Sequence, residues 1–192
     1  MRSFLIIDAQ PPENLSKYHP ESILLSYGYQ VHPSSSEAVV RESIQHADAM
    51  IVHLPVSSIE TWGNTLTKWR SLPLFWWCSP ETAQSSLQDC EVNVSIDGVL
   101  TPSMTEQELH WSLHFGEKRF FERQHWHSER EQLHARLEER KWIDKAKGIL
   151  GQINGIPEAE AYDVLRKKAM NDRKRIVDVA VSIVKAHEML RA

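Results

Sequence analysis

The sequence predicts an α/β fold, a doubly wound parallel sheet, followed by a long helix and a C-terminal bundle of three helices. Short apolar segments alternate with helical patterns up to about residue 102. A proline-free segment of more than forty residues begins at Thr105, and a basic region with helical periodicity follows it. Alternating strands and helices imply parallel strands joined by right-handed crossovers.

Continuous apolar runs are typical of strands that are covered on both faces. Such runs lie at 4–8, 49–54, 72–78 and 97–102, with a weaker strand at 29–34. Helical patterns lie between them, at 21–28, 37–47, 59–71 and 80–89. We therefore expect a domain with strands and helices in alternation over residues 1–104.

A long helix is predicted to begin at Thr105, because Thr105 and Glu108 have the spacing of a capping box. A helix of this length usually buries a seam against a partner helix. We predict a polar coiled coil over 105–139 that joins two copies of the chain; the alternative is a helix that lies on its own domain. The apolar anchors are Phe120, Phe121, Trp126, Leu133 and Leu137.

The third predicted domain, 140–192, is helical throughout. Gly155 is expected to end the long helix, since glycine accepts a left-handed conformation, and Pro157 to begin the next one. Asn171 or Asp172 is expected to cap the last helix. Residues 140–192 carry 12 Lys+Arg and 7 Asp+Glu, a formal charge of +5, whereas residues 1–139 carry −9. A basic segment on an acidic body suggests a nucleic-acid partner.

Other classes of protein are not indicated. The first apolar run is too short for a signal peptide and no run is long enough for a membrane span, so we expect a cytoplasmic protein. There is no glycine-rich phosphate loop or nucleophile motif, so no enzyme and no cofactor are expected. His110 and His114 lie one helical turn apart but lack further ligands nearby, so no metal site is expected.

Three motifs in the basic region occur in a fixed order: "AKGIL" at 146–150, "NGIPEAEAYDVLRKKAM" at 154–170 and "RIVDVAVSIV" at 175–184. Together they resemble the ANTAR domain of transcription antitermination regulators of the AmiR and NasR type. The resemblance implies a three-helix domain that binds paired stem-loops in leader mRNA and prevents formation of a transcription terminator.

RNA binding of this kind needs cations for phosphates and surfaces for unstacked bases. Tyr162 is open to two interpretations, core packing and base stacking. The expected RNA-binding residues are Lys145, Lys147, Tyr162, Arg166, Lys167, Lys168, Arg173, Lys174 and Arg175. The alternatives are a DNA-binding transcription factor of response-regulator type and a dimeric protein-interaction adaptor.

The first domain resembles the receiver domain of response regulators, a flavodoxin-like fold, but lacks its switch residues. Asp8 follows the first strand, and His53 stands at the phosphoacceptor position after the third. Cys78 or Ser79 holds the hydroxyl position, and Thr101 replaces the lysine. One carboxylate is too few for Mg²⁺. The resemblance therefore implies a receiver-like domain that is not phosphorylated on aspartate and is controlled by a regulatory protein or a ligand.

Overall fold

The structure is a computed structural model that describes residues 2–8, 16–85 and 94–191. The chain divides into two compact units, a first unit Met1–Gln124 and a second unit His125–Ala192. The predicted three-part division at residues 104 and 139 stays a prediction. The end of the helix expected at 80–89 lies outside the described residues.

Within the described ranges, the first unit contains five parallel strands in the order β2-β1-β3-β4-β5. This is the flavodoxin-like order, in which the chain winds in both directions from β1. The predicted fold class is confirmed: a parallel sheet with flanking helices, then a long helix and further helices. The strands are Ser3–Asp8 (β1), Gln30–Ser34 (β2), Ala49–His53 (β3), Leu74–Trp77 (β4) and Gly98–Leu100 (β5).

Helices connect the strands in the predicted alternation. A short 3-10 turn, Ile44–His46, continues the second helix. The described helices are Pro20–Ser26 (α1), Glu37–Ser43 (α2), Val56–Trp69 (α3), Pro80–Ser85 (α4), Glu106–Asn154 (α5), Glu158–Asp172 (α6) and Ile176–Arg191 (α7). None of these helices combines the length and the apolar character that a membrane span requires.

Side chains alternate along each strand, so the sheet has two apolar faces. In β1, Leu5 and Ile7 belong to the cluster covered by α2 and α3. Phe4 and Ile6 belong to the opposite cluster, which includes Leu24 of α1 and residues of α5. Burial on both faces explains why the strands are continuous apolar runs rather than alternating ones.

The first turn of α5 is fixed by the predicted capping box. The Thr105 backbone N–H donates to Glu108 Oε2 at 2.8 Å, and the Glu108 N–H donates to Thr105 Oγ1 at 3.3 Å. Further along α5, Arg123 donates one hydrogen bond from each terminal guanidinium nitrogen to the fully buried carboxylate of Asp97. Asp97 Oδ2 also accepts the Leu74 N–H at 2.9 Å, so the ion pair ties α5 to the sheet.

Close packing of α5 on the sheet depends on a glycine. Gly116 is buried, and a Cβ placed there would lie 2.2 Å from Phe75 Cε1 and 2.6 Å from Phe75 Cζ. The Phe75 ring is itself fully buried, so it has little room to move. Gly148 lies in the same helix but is exposed, with no atom within 4 Å of its would-be Cβ.

The second unit is a three-helix bundle formed by the end of α5, α6 and α7. Its core is built on small and branched side chains. As predicted, α5 ends at Asn154 and Gly155 adopts a positive φ of 64°. Pro157 is the N-cap of α6 rather than its first residue. The buried residues of this core are Ala146, Leu165, Ala169, Val179, Ala180 and Val184.

We expect Gly116→Ala to lower the free energy of unfolding by about 2 kcal/mol. Overpacking against Phe75 costs up to about 3 kcal/mol, and the better helix propensity of alanine returns about 1 kcal/mol. Urea denaturation followed by tryptophan fluorescence measures the change. Gly148→Ala is the matched control and should be neutral or slightly stabilising, so equal effects at the two sites would contradict the packing account.

Candidate functional site

Six cations lie around the turn between α6 and α7, and they are called the basic turn. Two backbone hydrogen bonds close it: Lys174 N–H to Ala169 O at 3.0 Å and Arg173 N–H to Met170 O at 3.3 Å. This is the Schellman arrangement, with Arg173 in the left-handed conformation at φ 53°. The six cations, all exposed, are Arg166, Lys167, Lys168, Arg173, Lys174 and Arg175.

The position of the turn differs from the sequence-based expectation. Arg173, Lys174 and Arg175 were expected to begin the last helix, but α6 extends to Asp172 and α7 begins at Ile176. The three cations therefore form the connection itself. These cations therefore lie in an exposed turn rather than along one face of a helix.

Two of the six cations are paired with carboxylates. Lys168 Nζ lies 3.3 Å from Asp172 Oδ2 on the same helix, and Arg175 forms an ion pair with Glu139 of α5. Within the part of the chain that the structure describes, Arg166, Lys167, Arg173 and Lys174 have no ion pair. These four residues, Arg166, Lys167, Arg173 and Lys174, are called the free cations, because they can bind a polyanion without breaking an existing ion pair.

Tyr162 lies outside the core of the bundle. The α6 positions that face the core are Ala161, Leu165 and Ala169, whereas the Tyr162 side chain is 42% exposed. Arg166 follows it by one helical turn, so the two side chains share one face of α6. This placement leaves the tyrosine ring open to a stacking partner.

Lys145 and Lys147 lie at the other end of α6 from the basic turn. Lys147 Nζ contacts Glu158, the first residue of α6, at 2.5 Å, and α6 is 15 residues or about 22 Å long. The Lys145 ammonium lies 5.2 Å from the centre of the Trp142 ring and is exposed. The predicted RNA-binding residues therefore extend along α6 rather than gathering at the turn alone.

Lys147 is held in place by two carboxylates. Its Nζ lies 2.7 Å from Asp144 Oδ1 as well as 2.5 Å from Glu158 Oε1. The hydrogen bonds that Lys147 donates to Asp144 and Glu158 raise the pKa of Lys147, and the one that Asp144 accepts from Lys147 lowers the pKa of Asp144. This cation joins α5 to α6, so a phosphate would compete with two carboxylates for it, and its role in RNA binding stays a prediction.

A polar network occupies the carboxyl edge of the sheet in the first unit. Asp8 and His53 end the neighbouring strands β1 and β3 and are partners in the register. His53 Nδ1 lies 2.8 Å from Asp8 Oδ2, and His53 Nε2 lies 3.0 Å from Ser79 Oγ. Ser79, not Cys78, is therefore the residue that contacts His53.

His19 joins this network, although no sequence motif singles it out. Its Nε2 lies 2.9 Å from the same Asp8 oxygen, and its Nδ1 accepts the Glu21 N–H at 3.3 Å as the N-cap of α1. His19 and Ser79 are each only 4% exposed. The position of His19 just before Pro20 is the one local signal of a helix start, and histidine is an unusual residue there.

The remaining receiver-like position is held by a hydroxyl. Thr101 follows β5, and its Oγ1 lies 3.0 Å from Ser103 Oγ. Residue by residue, the edge of the sheet presents one carboxylate, two imidazoles and hydroxyl groups. Hydrogen bonds link Asp8, His19, His53 and Ser79 into one connected set.

The class of the second unit is established by comparison with known families. Residues 131–184 match the family model of the ANTAR domain. The match covers the end of α5, all of α6, the basic turn and α7 as far as Val184, which are the elements that bear the predicted motifs. This match confirms the resemblance to the ANTAR domain that the sequence motifs indicated.

One relative is the nitrate regulatory protein of Klebsiella oxytoca, which is 40% identical over 55 residues. The aligned part is 29% of this chain and 14% of that protein, so the chain spans a small share of the relative's length. Among solved structures, full-length FixJ from B. japonicum aligns over 96% of this chain and 98% of its own, with 9% identity and a TM-score of 0.44. An alignment at that level says nothing about function.

We expect Lys147→Met to lower the melting temperature of the second unit at neutral pH, because the link between α5 and α6 is lost. The pKa of Lys147 is raised in the folded protein, so its contribution to stability is lost as the pH rises through that folded-state pKa. The pKa of Asp144 is lowered, so its contribution is lost as the pH falls through the folded-state pKa of Asp144. The difference between wild type and variant should therefore narrow at both extremes of pH.

Thermal unfolding followed by circular dichroism across pH measures this difference. Lys167→Met is the control, since Lys167 is exposed and has no ion pair among the described residues. A difference for Lys147→Met that stays constant with pH would show that packing of its methylene groups, and not its charge, is responsible.

Proposed function

We propose that this chain is an RNA-binding transcription antiterminator, which binds stem-loops in leader mRNA and prevents formation of a terminator. The ANTAR domain at 131–184 is the observation that carries the proposal. The relative named a nitrate regulatory protein supports a regulatory role. In this proposal the protein acts in the cytoplasm on nascent transcripts.

The basic turn supplies the electrostatic part of the proposed interface. Phosphate contacts from Lys and Arg provide much of the affinity of nucleic-acid binding. Arg166, Lys167, Arg173 and Lys174 are exposed and free of ion pairs within the described residues.

Tyr162 supplies the proposed base contact. Hairpin loops expose unstacked bases, which proteins bind by stacking on aromatic rings and on Arg guanidinium planes. Tyr162 is 42% exposed, and Arg166 lies one turn further along the same face of α6. Together they offer two stacking planes next to the free cations.

Double-stranded DNA is a poorer fit to this bundle. A recognition helix in a major groove needs polar base-reading side chains along its exposed face. The core side of α7 is formed by Val177, Val179, Ala180 and Val184. Its exposed face includes Asp178, Glu188 and the apolar Met189 and Leu190, with Lys185 as a cation. The acidic and apolar side chains favour the RNA proposal over a DNA-binding factor.

We propose further that two copies of the chain associate through α5. In the second unit Trp126, Leu133 and Leu137 are 67%, 58% and 55% exposed on this helix. Their spacings of seven and four residues keep them on one side of the helix. Two ANTAR domains joined in this way would each hold one of two hairpins, which raises the effective affinity without new contacts.

Control of RNA binding is assigned to the first unit. His53 takes the place of a phosphoacceptor and is bonded to Asp8 and Ser79, each within 3.0 Å. We propose that this receiver-like unit responds to a regulatory protein or a ligand and not to phosphorylation of an aspartate. Residues 1–124 carry 8 Lys+Arg and 15 Asp+Glu, a formal charge of −7, which suits a partner with a basic surface.

Replacing Arg166, Lys167 and Lys174 together by Gln should weaken binding to a two-hairpin leader RNA. The slope of log K against log salt should become shallower by about 2, because each lost phosphate contact removes roughly 0.7–0.9. Fluorescence anisotropy at several salt concentrations measures both effects. Circular dichroism checks that the fold is retained.

The matched control removes the same charge from the first unit by Lys17→Gln, Lys68→Gln and Arg119→Gln, all of which are exposed. The control protein should keep the slope of wild type. Equal losses in both triple variants would mean that overall charge, and not the basic turn, determines RNA binding.

Incubation with acetyl phosphate and Mg²⁺ should leave the intact mass unchanged. Asp8 is the one carboxylate of the described edge network, and it already accepts hydrogen bonds from two imidazoles. A single carboxylate does not assemble the oxygen ligands that Mg²⁺ requires. An added mass of one phosphoryl group that hydroxylamine removes would contradict control without aspartyl phosphorylation.

A further inference from the structure

The edge network of the first unit has the composition of a metal site. Asp8, His19 and His53 each offer a ligand atom, and these atoms lie within 4.8 Å of one another. Two imidazole nitrogens and one carboxylate oxygen are the donor set of many zinc and other transition-metal sites. We propose that Asp8, His19 and His53 bind a divalent transition metal of the zinc class.

The ligands come from three separate elements, and the fold brings them together. Asp8 ends β1, His53 ends the adjacent strand β3, and His19 lies directly before α1. Asp8 and His19 are buried and the His53 side chain is 11% exposed. Side chains held at strand ends and a helix cap are positioned more precisely than side chains on an open loop.

The spacing suits a tetrahedral ion. Zinc–ligand bonds of about 2.0–2.2 Å place tetrahedral ligand atoms roughly 3.3 Å apart. The present contacts to Asp8 Oδ2 are 2.9 Å from His19 Nε2 and 2.8 Å from His53 Nδ1. These two contacts need to lengthen by about half an ångström to admit the ion, and the two imidazole nitrogens lie within 4.8 Å of each other.

Each histidine can bind the metal as a neutral imidazole, with its proton on the ring nitrogen that does not bind the metal. His53 binds the metal through Nδ1, so its Nε2 carries the proton and donates to Ser79 Oγ, 3.0 Å away. Ser79 Oγ also lies 3.2 Å from Thr82 Oγ1, which takes part in the same hydroxyl network. A ligand histidine normally donates its second N–H to such a partner. His19 binds through Nε2, so its proton moves from Nε2 to Nδ1, and Nδ1 no longer accepts the 3.3 Å hydrogen bond from the Glu21 N–H.

This donor set selects against magnesium. Mg²⁺ requires hard oxygen ligands in octahedral geometry, and two of the three donors here are nitrogens. The residues therefore do not fit the Mg²⁺ of a phosphorylatable receiver, and they do fit zinc. Three protein ligands leave one coordination position for water or for a small anion, which gives the unit a means of sensing a ligand.

The test uses the full chain after treatment with EDTA and gel filtration. ZnCl₂ is titrated in competition with a chromogenic chelator, with and without excess MgCl₂. One zinc ion per chain should bind, and magnesium should not displace it. No zinc binding by wild type, or displacement by magnesium, would overturn the proposal.

Variants assign the site. His19→Gln and His53→Gln should each weaken zinc binding by more than about tenfold, since loss of even an outer-shell partner typically costs 10–100-fold. The control His110→Gln/His114→Gln removes two exposed histidines spaced one turn apart on α5 and should bind zinc as wild type does. Loss of binding in the control, with retention in His53→Gln, would overturn the assignment.

A second readout needs no variant. Long-range ¹H–¹⁵N spectra of wild type should show zinc-dependent shifts of the His19 and His53 ring nitrogens. Unchanged shifts at both residues would overturn the proposal even if the variants fail to fold. RNA binding by the second unit is measured separately, so failure of this proposal and failure of the proposed function are distinguishable.

Discussion

The close approach of three helices in the second unit determines where its functional side chains lie. Ala146, Ala161 and Ala180 are fully buried, so the helix backbones come close together on small side chains. Once Ala161 and Leu165 face the core, Tyr162 and Arg166 must face outwards on α6. The left-handed Arg173 then ends α6 and places the remaining cations in the connection. The same packing leaves Lys147 at the opposite end of α6, tied to Glu158.

The first unit follows a different principle, in which one carboxylate organises the edge of the sheet. Asp8 Oδ2 accepts hydrogen bonds from His19 and His53, and His53 passes the network on to Ser79. Buried polar groups are costly unless they are paired, and here each one has a partner. The edge of the sheet therefore presents two imidazoles and one carboxylate, whereas a magnesium site needs several oxygen ligands. This composition is the reason for proposing control without aspartyl phosphorylation.

Local patterns predicted the elements well. Apolar runs located the strands, and the capping box at Thr105 and the glycine at Gly155 located the two ends of α5 within a residue or so. Long-range features escaped prediction. A left-handed Arg173 has no sequence signal, because glycine or asparagine is the usual residue there. His19 and Asp8 are eleven residues apart, and the fold alone brings them to 2.9 Å. Likewise, pairing of Lys147 with Glu158 depends on how α6 packs on α5.

The most direct test of the central claim compares a hairpin RNA with a DNA duplex of the same number of phosphates, at one salt concentration, by fluorescence anisotropy. Cations alone would bind both polyanions, whereas stacking on Tyr162 and Arg166 requires unstacked loop bases. The account predicts tighter binding to the hairpin RNA, and a loss of that preference when the loop is replaced by a flexible abasic linker. Equal or tighter binding to the duplex DNA would contradict it.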